Sequence, residues 1–444
     1  MSSWYVGDLV VGGLIARQLF VLRGVLRSIR FLRHISTSRT ASQDAVTPTF
    51  YIVIPVLREA ASLREAIEHF DRIRAGHQSK LIVVTTAREA EEAVRHGGAA
   101  DTVTVADELA RERGFCHLHY PDPKGLKADQ INFAVDYCAE AVVADGAADP
   151  SFVVIYDVDS RPPIDSLVHF EIAIANNPKV SVFHQSSRFE LRARAKPAAR
   201  AVVERLRFAI ADSGALRANR FVLAYEIPRL LNRVNPTMSW WHRLLSSVYA
   251  HVTGHGLCVR LTLLKALPLP ARSPLEDMHY SFILGSRDEA MLPIASLDCA
   301  EVPESPITQF HQMTRWVFGP ARFRRYLGDP ATRQGWRTYF RASSAAAITG
   351  EWLSCAVLPL VLPLVFVVGD SAERMMVAML AAIYAAQLVI TEHALRGVGG
   401  TSDAVMRIAM YPVTLLMFGI AGIAGVGRLL RGGTASGKTE RGTG

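Results

Sequence analysis

Phe152-Val-Val-Ile-Tyr-Asp-Val-Asp-Ser160 is the stretch on which the reading of this chain turns. An apolar run rich in β-branched residues stops at two carboxylates placed two residues apart. In a strand, alternate side chains point the same way, so Asp157 and Asp159 are expected to project together from the carboxyl end of a buried strand. In an open α/β sheet that edge is where ligands bind. Two hard oxygen ligands there suit a divalent cation that draws its remaining ligands from phosphates. The competing reading is a strand ending in an Asx turn, since Pro162-Pro163 follows directly.

Working outward, Phe50-Tyr-Ile-Val-Ile-Pro55 and Lys80-Leu-Ile-Val-Val-Thr-Thr86 have the same buried-strand character. Helical periodicity runs through residues 60–73, 87–96 and 128–143, and Asp101-Thr-Val-Thr-Val105 is expected as a short strand. Val180-Ser-Val-Phe183 continues the sheet, and residues 198–227 are expected to be helical and Arg-rich. Strands alternating with helices of these lengths imply an α/β domain with a mostly parallel sheet covered on both faces.

The 444 residues leave room for a large domain and something more. Half of them are apolar, the mean hydropathy is +0.18, and the excess lies near the C-terminus. Apolar segments at 346–368, 375–390 and 404–426 are each about long enough to cross a bilayer, the middle one with its flanks included. Arg315, Arg322, Arg324, Arg325, Arg333, Arg337 and Arg341 precede them, which places the α/β domain on the cytoplasmic side. Three spans then put the C-terminus outside, in conflict with Arg428, Arg431, Lys438 and Arg441, so one segment is a candidate for a re-entrant turn. Residues 4–32 carry Arg17, Arg23, Arg27 and Arg30 in an apolar stretch, the pattern of an amphipathic helix lying on an anionic leaflet.

The expected organisation is therefore an interfacial helix and linker over 1–47, a catalytic domain over 48–308, interfacial helices over 309–345, transmembrane helices over 346–428 and a basic tail over 429–444. The net charge of +8 with a pI near 9.3 fits membrane lipids or phosphorylated substrates. Nucleic acid is excluded because no basic surface interleaved with stacking aromatics accompanies the charge. Five dispersed cysteines without a CxxC pair fit a reducing compartment.

Three further motifs carry chemistry. Ser273 and Glu276 have capping-box spacing around Pro274, which puts Asp277 in the first turn of a helix, where the dipole favours its charged form. Gly254-His-Gly256 is a Gly-flanked turn leading into a strand, where backbone can approach a ligand closely. Gln312, Arg315 and Trp316 share one helix face beside the membrane, which taken alone reads first as an interfacial anchor and second as a phosphate-holding face. Gly432 to Thr439 spells a P-loop by letter. It lacks the strand before and the helix after that the mechanism needs, and is set aside.

Taken in order, the Ile-Pro strand, Asp-x-Asp, the Gly-rich turn, Glu276-Asp277 and Gln312-x-x-Arg315-Trp316 resemble the membrane-embedded branch of glycosyltransferase family 2. That branch includes cellulose, chitin and hyaluronan synthases. The resemblance covers roughly residues 49–327. It implies a GT-A fold and inverting transfer from a nucleotide-sugar with Mg²⁺ or Mn²⁺. Asp157 and Asp159 would hold the metal and donor diphosphate, and Asp277 would deprotonate the acceptor hydroxyl. Pro55, Glu59, Lys127 and Arg315 would bind the donor, and Glu276, Gln312 and Trp316 would line the acceptor side. Arg58 stands where the family has Asn, Leu126 is inserted between Gly125 and Lys127 of the Gly-Lys-x-x-x-x-Asn132 motif, and Thr85-Thr86 replaces the usual Asp-Asp.

The reading is a membrane-bound inverting glycosyltransferase at the cytoplasmic leaflet of a bacterial plasma membrane. Its expected partners are a nucleotide-sugar donor, a polysaccharide or lipid acceptor, membrane lipids, and a second copy or membrane partner. The alternative from another class is a catalytically silent membrane scaffold that keeps a sugar-nucleotide-binding fold.

Overall fold

The computed structural model describes residues 4–35, 47–91, 101–145, 150–191, 202–233, 244, 246–250, 252–271, 273, 275–395 and 401–432. Among them, seven strands form one sheet in the order β3-β2-β1-β4-β7-β5-β8. These are β1 (Thr49–Pro55), β2 (Ser79–Thr86), β3 (Cys116–Tyr120), β4 (Ser151–Ile155), β5 (Val182–His184), β7 (Leu257–Arg260) and β8 (Met291–Pro293). β7 runs antiparallel between β4 and β5, and every other pairing in the sheet is parallel. A parallel pair of β6 (Ser187–Glu190) and β9 (Asp298–Glu301) stands beside it.

Side-chain alternation divides the central strands between two cores. Phe50, Ile52, Ile54, Val83 and Val154 pack under the helices Ala60–Arg74 (α2), Asp101–Arg113 (α3) and, after Lys127–Asp145 (α4), Ser166–Asn176 (α5). Tyr51, Val53, Ile82, Val153 and Ile155 face α4 and the later helices Leu261–Ala266 and Glu276–Ser286. These side chains are fully buried, each worth about 1.5–3 kcal/mol against exposure. Burial on both faces explains why the strands read as continuous apolar runs.

Asp101–Val105 is not a strand. It opens α3, because Thr102, Ala106 and Leu109 recur at helical spacing and lie against the sheet. The edge strand there is β3, whose half-exposed Cys-His-Leu-His-Tyr sequence carries no apolar run to announce it.

The helices outside the sheet begin with α1 (Trp4–Ile35), an unbroken helix of 32 residues. Its described stripe of Val11, Ile15, Val21 and Val25 is buried while Arg23, Arg27 and Arg30 stay exposed. Other parts of the protein cover that stripe. Val11 and Ile15 cluster with Leu380, and Gln387 donates to the Gln18 carbonyl at 2.8 Å. Arg17 is not an interruption left to solvent. It pairs with Glu351 at 2.6 Å and donates to the Tyr225 hydroxyl at 3.2 Å.

The chain continues from β6 into α6 (Val202–Phe221), a π-helical turn at Val222–Glu226 and α7 (Ile227–Leu231). After α8 (Leu261–Ala266) and α9 (Glu276–Ser286) come α10 (Pro306–Trp316), α11 (Phe318–Ala321) and α12 (Phe323–Leu327). Then follow α13 (Trp336–Ser354), α14 (Leu358–Val368), α15 (Ser371–Ala394), α16 (Thr401–Ala409) and α17 (Tyr411–Leu430). Two of these, α15 and α17, are long and apolar enough to cross a membrane, and α13 with α14 makes a third if that pair, bent by 62°, is one span.

The expected first span over 346–368 is thus broken. Its helix starts ten residues earlier and takes in Arg337 and Arg341. Pro359 has no N–H to continue the hydrogen-bond ladder across residues 355–357, which forces the bend. The P-loop-like letters after Gly432 lie outside the described residues.

Candidate functional site

β1, β2 and β4 end at one edge of the sheet, and β7 enters from that edge. The edge therefore gathers Pro55, the Asp157–Asp159 segment and the Gly254–Gly256 turn. β4 itself ends at Ile155, and the Ser160 amide donates to the Asp157 carbonyl at 3.0 Å, so the two carboxylates sit on a turn just past the strand. The strand and turn readings are both partly right. Val158 is buried between the half-buried Asp157 and Asp159.

Gly256 takes φ +68°, and its amide donates to the Ile155 carbonyl at 2.8 Å while its carbonyl accepts from Gln185 at 2.7 Å. A Cβ there would lie 2.3 Å from the Gln185 carbonyl oxygen, so a glycine is required. That turn lays Gly254 among the charged groups. Its amide donates to Asp277 Oδ2 at 2.9 Å, and its carbonyl accepts from Lys127 Nζ at 3.1 Å.

Lys127, at the start of α4, bonds Asp157 Oδ1 at 2.5 Å and lies 3.9 Å from Glu276 Oε1. Burial would lower its pKa, but Asp157 and then Glu276 hold it raised, so it stays charged. Glu276 is pushed up to about 7, by burial first, with Lys127 opposing and Asp277 adding to the rise. Asp277 is oriented by backbone: Gly254 N–H holds Oδ2, and the Met278 N–H donates to Oδ1 at 2.7 Å. Each oxygen keeps a further lone-pair direction for another proton or cation.

The capping box expected at Ser273 and Glu276 does not form. The helix starts at Glu276, Leu275 occupies the cap position, and no side chain caps it. Glu276 turns instead toward Lys127, which removes the purely structural account of this residue. Pro274 lies outside the described residues.

Other expected residues are spread around this centre. Pro55 ends β1 and is buried. Glu59 occupies the cap position of α2, where its amide donates to Thr102 Oγ1 at 3.0 Å. Arg58 adopts φ +57°, a left-handed conformation that Asn enters more readily than Arg. Glu89 follows β2 in place of the missing carboxylates. It is buried and accepts the Arg58 amide at 3.0 Å and the Thr102 amide at 3.1 Å. Asn132 exchanges two hydrogen bonds with the Leu269 backbone, at 2.8 and 3.0 Å, and so clasps α4 to the chain after α8.

Gln312, Arg315 and Trp316 are half-buried on α10, whose C-terminal end leads into α11. Gly319 of α11 lies directly against the Met278 side chain, one residue beyond Asp277. Trp316 and Leu275 both pack against an apolar cluster that includes Phe318, Trp352 and Phe418. The motif is thus joined to the Asp277 helix through packing.

Sequence reading passed over His255 and Asp298. His255 Nδ1 lies 3.0 Å from both Asp298 Oδ2 and Ser187 Oγ. Burial opposes its protonation, but the fully buried Asp298 raises its pKa to about 9, with Asp157 contributing. The flanking glycines were the available signal, since they place the residue between them at the edge.

Among the described residues no group of three or more His, Cys, Asp or Glu side chains gathers around a point as a metal cage would. Asp157 and Asp159 suit a hard cation that takes its other ligands from phosphate oxygens and water.

No protein-family model and no curated protein sequence matches this chain. Among solved structures, the chain is similar to a mannosyltransferase from Pyrobaculum calidifontis in complex with GDP-Man and Mn²⁺. The identity is 16%, with 96% of this chain and 99% of that one covered and a TM-score of 0.48. It is also similar to glucosyl-3-phosphoglycerate synthase from Mycobacterium tuberculosis in complex with Mn²⁺, uridine-diphosphate and phosphoglyceric acid. Here the identity is 15% over 56% of this chain and 69% of that one, at a TM-score of 0.31.

Proposed function

We propose that this chain is a membrane-bound, inverting glycosyltransferase of the GT-A kind, resembling family 2, that moves a sugar from a nucleotide-diphosphate donor to a lipid or polysaccharide hydroxyl. The observation that carries this reading is the Gly254 contact, which joins Asp277, Lys127 and, through Lys127, Asp157 at one sheet edge. On this reading the carboxylates that would hold the metal and diphosphate share one sheet edge with a fixed carboxylate base. The apolar helices α15 and α17 support placing that cleft at a membrane, with the catalytic side cytoplasmic.

In this scheme the acceptor oxygen attacks the anomeric carbon as its proton passes to Asp277. The bond from that carbon to the diphosphate oxygen breaks, and the nucleoside diphosphate leaves with the electron pair. Backbone N–H groups from Gly254 and Met278 hold the carboxylate so that no reorientation is needed during transfer. Lys127 contributes positive charge on the diphosphate side. A bound Mg²⁺ or Mn²⁺, held by Asp157 and Asp159, would supply Lewis-acid stabilisation of the leaving group. Arg315 would add positive charge on the donor diphosphate, and Gln312 and Trp316 would close the acceptor side through α11.

The test is a panel of nucleotide-sugars on membranes containing the protein, scored for released nucleoside diphosphate. Asp277→Asn should lower turnover by about 10²-fold or more while donor binding persists. Unchanged turnover would remove the base assignment. Failure of the wild type with every donor, with Mg²⁺ and with Mn²⁺, would favour a silent scaffold instead.

A further inference from the structure

Eight residues beyond Asp277, about 12 Å along α9, Gly285 touches two arginines that the glycosyl-transfer scheme does not use. Arg341, from α13, is 1% exposed and is among the largest fully buried side chains of the molecule. Its Nε and Nη1 are buried without a hydrogen-bond partner, as are Nε and Nη2 of Arg233, which follows α7. Among the described residues, four buried guanidinium nitrogens therefore lack acceptors.

The two groups also lie close together. The point that a Cβ on Gly285 would occupy lies 2.8 Å from Arg233 Nη2 and 2.9 Å from Arg341 Nε. Two positive charges are thus within about 6 Å, a separation at which like charges oppose one another's ionisation. Burial and then Arg341 push Arg233 down to about 9. The carboxylate that acts on both is Asp288, and Arg337 engages it at 3.2 Å. Burying one unpaired charge is costly, and burying two side by side is more so.

A compact anion with several acceptor oxygens would satisfy these donors and relieve the repulsion. Planar guanidinium forks match phosphate oxygens in pairs. Gly285 lets both guanidinium groups lie against the α9 backbone, because a side chain there would press on them and push them apart. The helix supplying Arg341 starts with Trp336 and Tyr339, 63% and 57% exposed, the aromatic pair expected at a membrane–water boundary.

The geometry points to a phosphate-binding site formed by Arg233 and Arg341 around Gly285, separate from the Asp157–Asp277 cleft, where a phosphate group from an anionic lipid or from solution is held. The site ties α7, α9 and α13 together and so couples the catalytic domain to the membrane helices.

The test uses the full-length protein in neutral detergent, with thermal unfolding measured against inorganic phosphate, phosphatidic acid and phosphatidylcholine. Wild type should unfold at higher temperature with phosphate or with phosphatidic acid, and not with phosphatidylcholine. A response to inorganic phosphate identifies a soluble ligand, and a response to phosphatidic acid alone identifies a lipid headgroup. Gly285→Ala, which keeps both charges and leaves the Asp277 cleft intact, should weaken that response at least about tenfold in concentration, and so should Arg341→Met. Without ligand, Arg341→Met should unfold at no lower temperature than wild type, since it removes an uncompensated charge. If Arg341→Met does not fold, Gly285→Ala alone carries the test. No stabilisation by either phosphate source, an equal effect of phosphatidylcholine, or a Gly285→Ala response equal to wild type would overturn the site.

Discussion

Replacing Glu276 by Gln isolates the electrostatic cost of gathering carboxylates around Lys127. In the folded protein Glu276 is raised from 4.5 to about 7, with burial the largest cause and Lys127 opposing it. Between those two values the folded state keeps a proton that the unfolded state has released, so stability falls as pH rises through that window. The gap, at about 1.4 kcal/mol per pH unit, amounts to about 3 kcal/mol, fully expressed above pH 7. Gln resembles the protonated acid in size and cannot ionise. The variant should match wild type near pH 4 and exceed it by up to about 3 kcal/mol at pH 8. Denaturant unfolding at pH 4, 6 and 8, taken as the difference between the two proteins, cancels the other titrating groups. A difference that stays flat across this range, or a variant less stable at pH 8, would refute the assigned environment of Glu276.

His255 gives the opposite sign. Its pKa is raised from 6.5 to about 9 in the folded state, so its stabilising contribution is complete below pH 6.5 and is lost as pH rises through 9. His255→Gln should therefore cost up to about 3 kcal/mol at pH 6 and much less at pH 9.5 by the same unfolding assay. Gly254→Ala places a methyl 3.1 Å from Lys127 Nζ and 3.4 Å from Asp277 Oδ2, and should reduce nucleoside-diphosphate release at least about tenfold while costing under about 2 kcal/mol of stability. Asn132→Ala removes both bonds to Leu269 and should cost about 1–3 kcal/mol in unfolding, with KM for the donor little changed, because the residue clasps backbone rather than ligand.

The parts of the fold legible in the chain were those where one local signal sufficed. β1, β2 and β4 are buried on both faces, which demands the continuous β-branched runs that identify them. β3 lies at an edge and is half-exposed, so its polar sequence satisfied its environment without resembling a core strand. Thr-Val-Thr-Val at 102–105 has β-forming composition, yet the apolar spacing from Thr102 through Leu109 fits the sheet only as a helix, and packing prevailed over propensity. The apolar C-terminal segments were visible by length, but the bend between α13 and α14 depended on Pro359 meeting close packing: a Cβ on Gly419 would lie 2.0 Å from the Ala356 nitrogen.

Legible in the residues alone were a buried strand running out toward two aspartates, a Glu-Asp pair at a helix start, and the apolar segments that follow. Residue type and spacing carry that information because they reflect periodicity and local chemistry. Only the tertiary structure decided that the Gly254 backbone joins Asp277 to Lys127, that Glu276 faces Lys127 rather than capping its helix, and that His255 is held by Asp298. It also brought Arg233 and Arg341 together across Gly285, from positions more than a hundred residues apart. Those relations set charge, burial and pKa, and they depend on distances between segments remote in the chain, which no local pattern encodes.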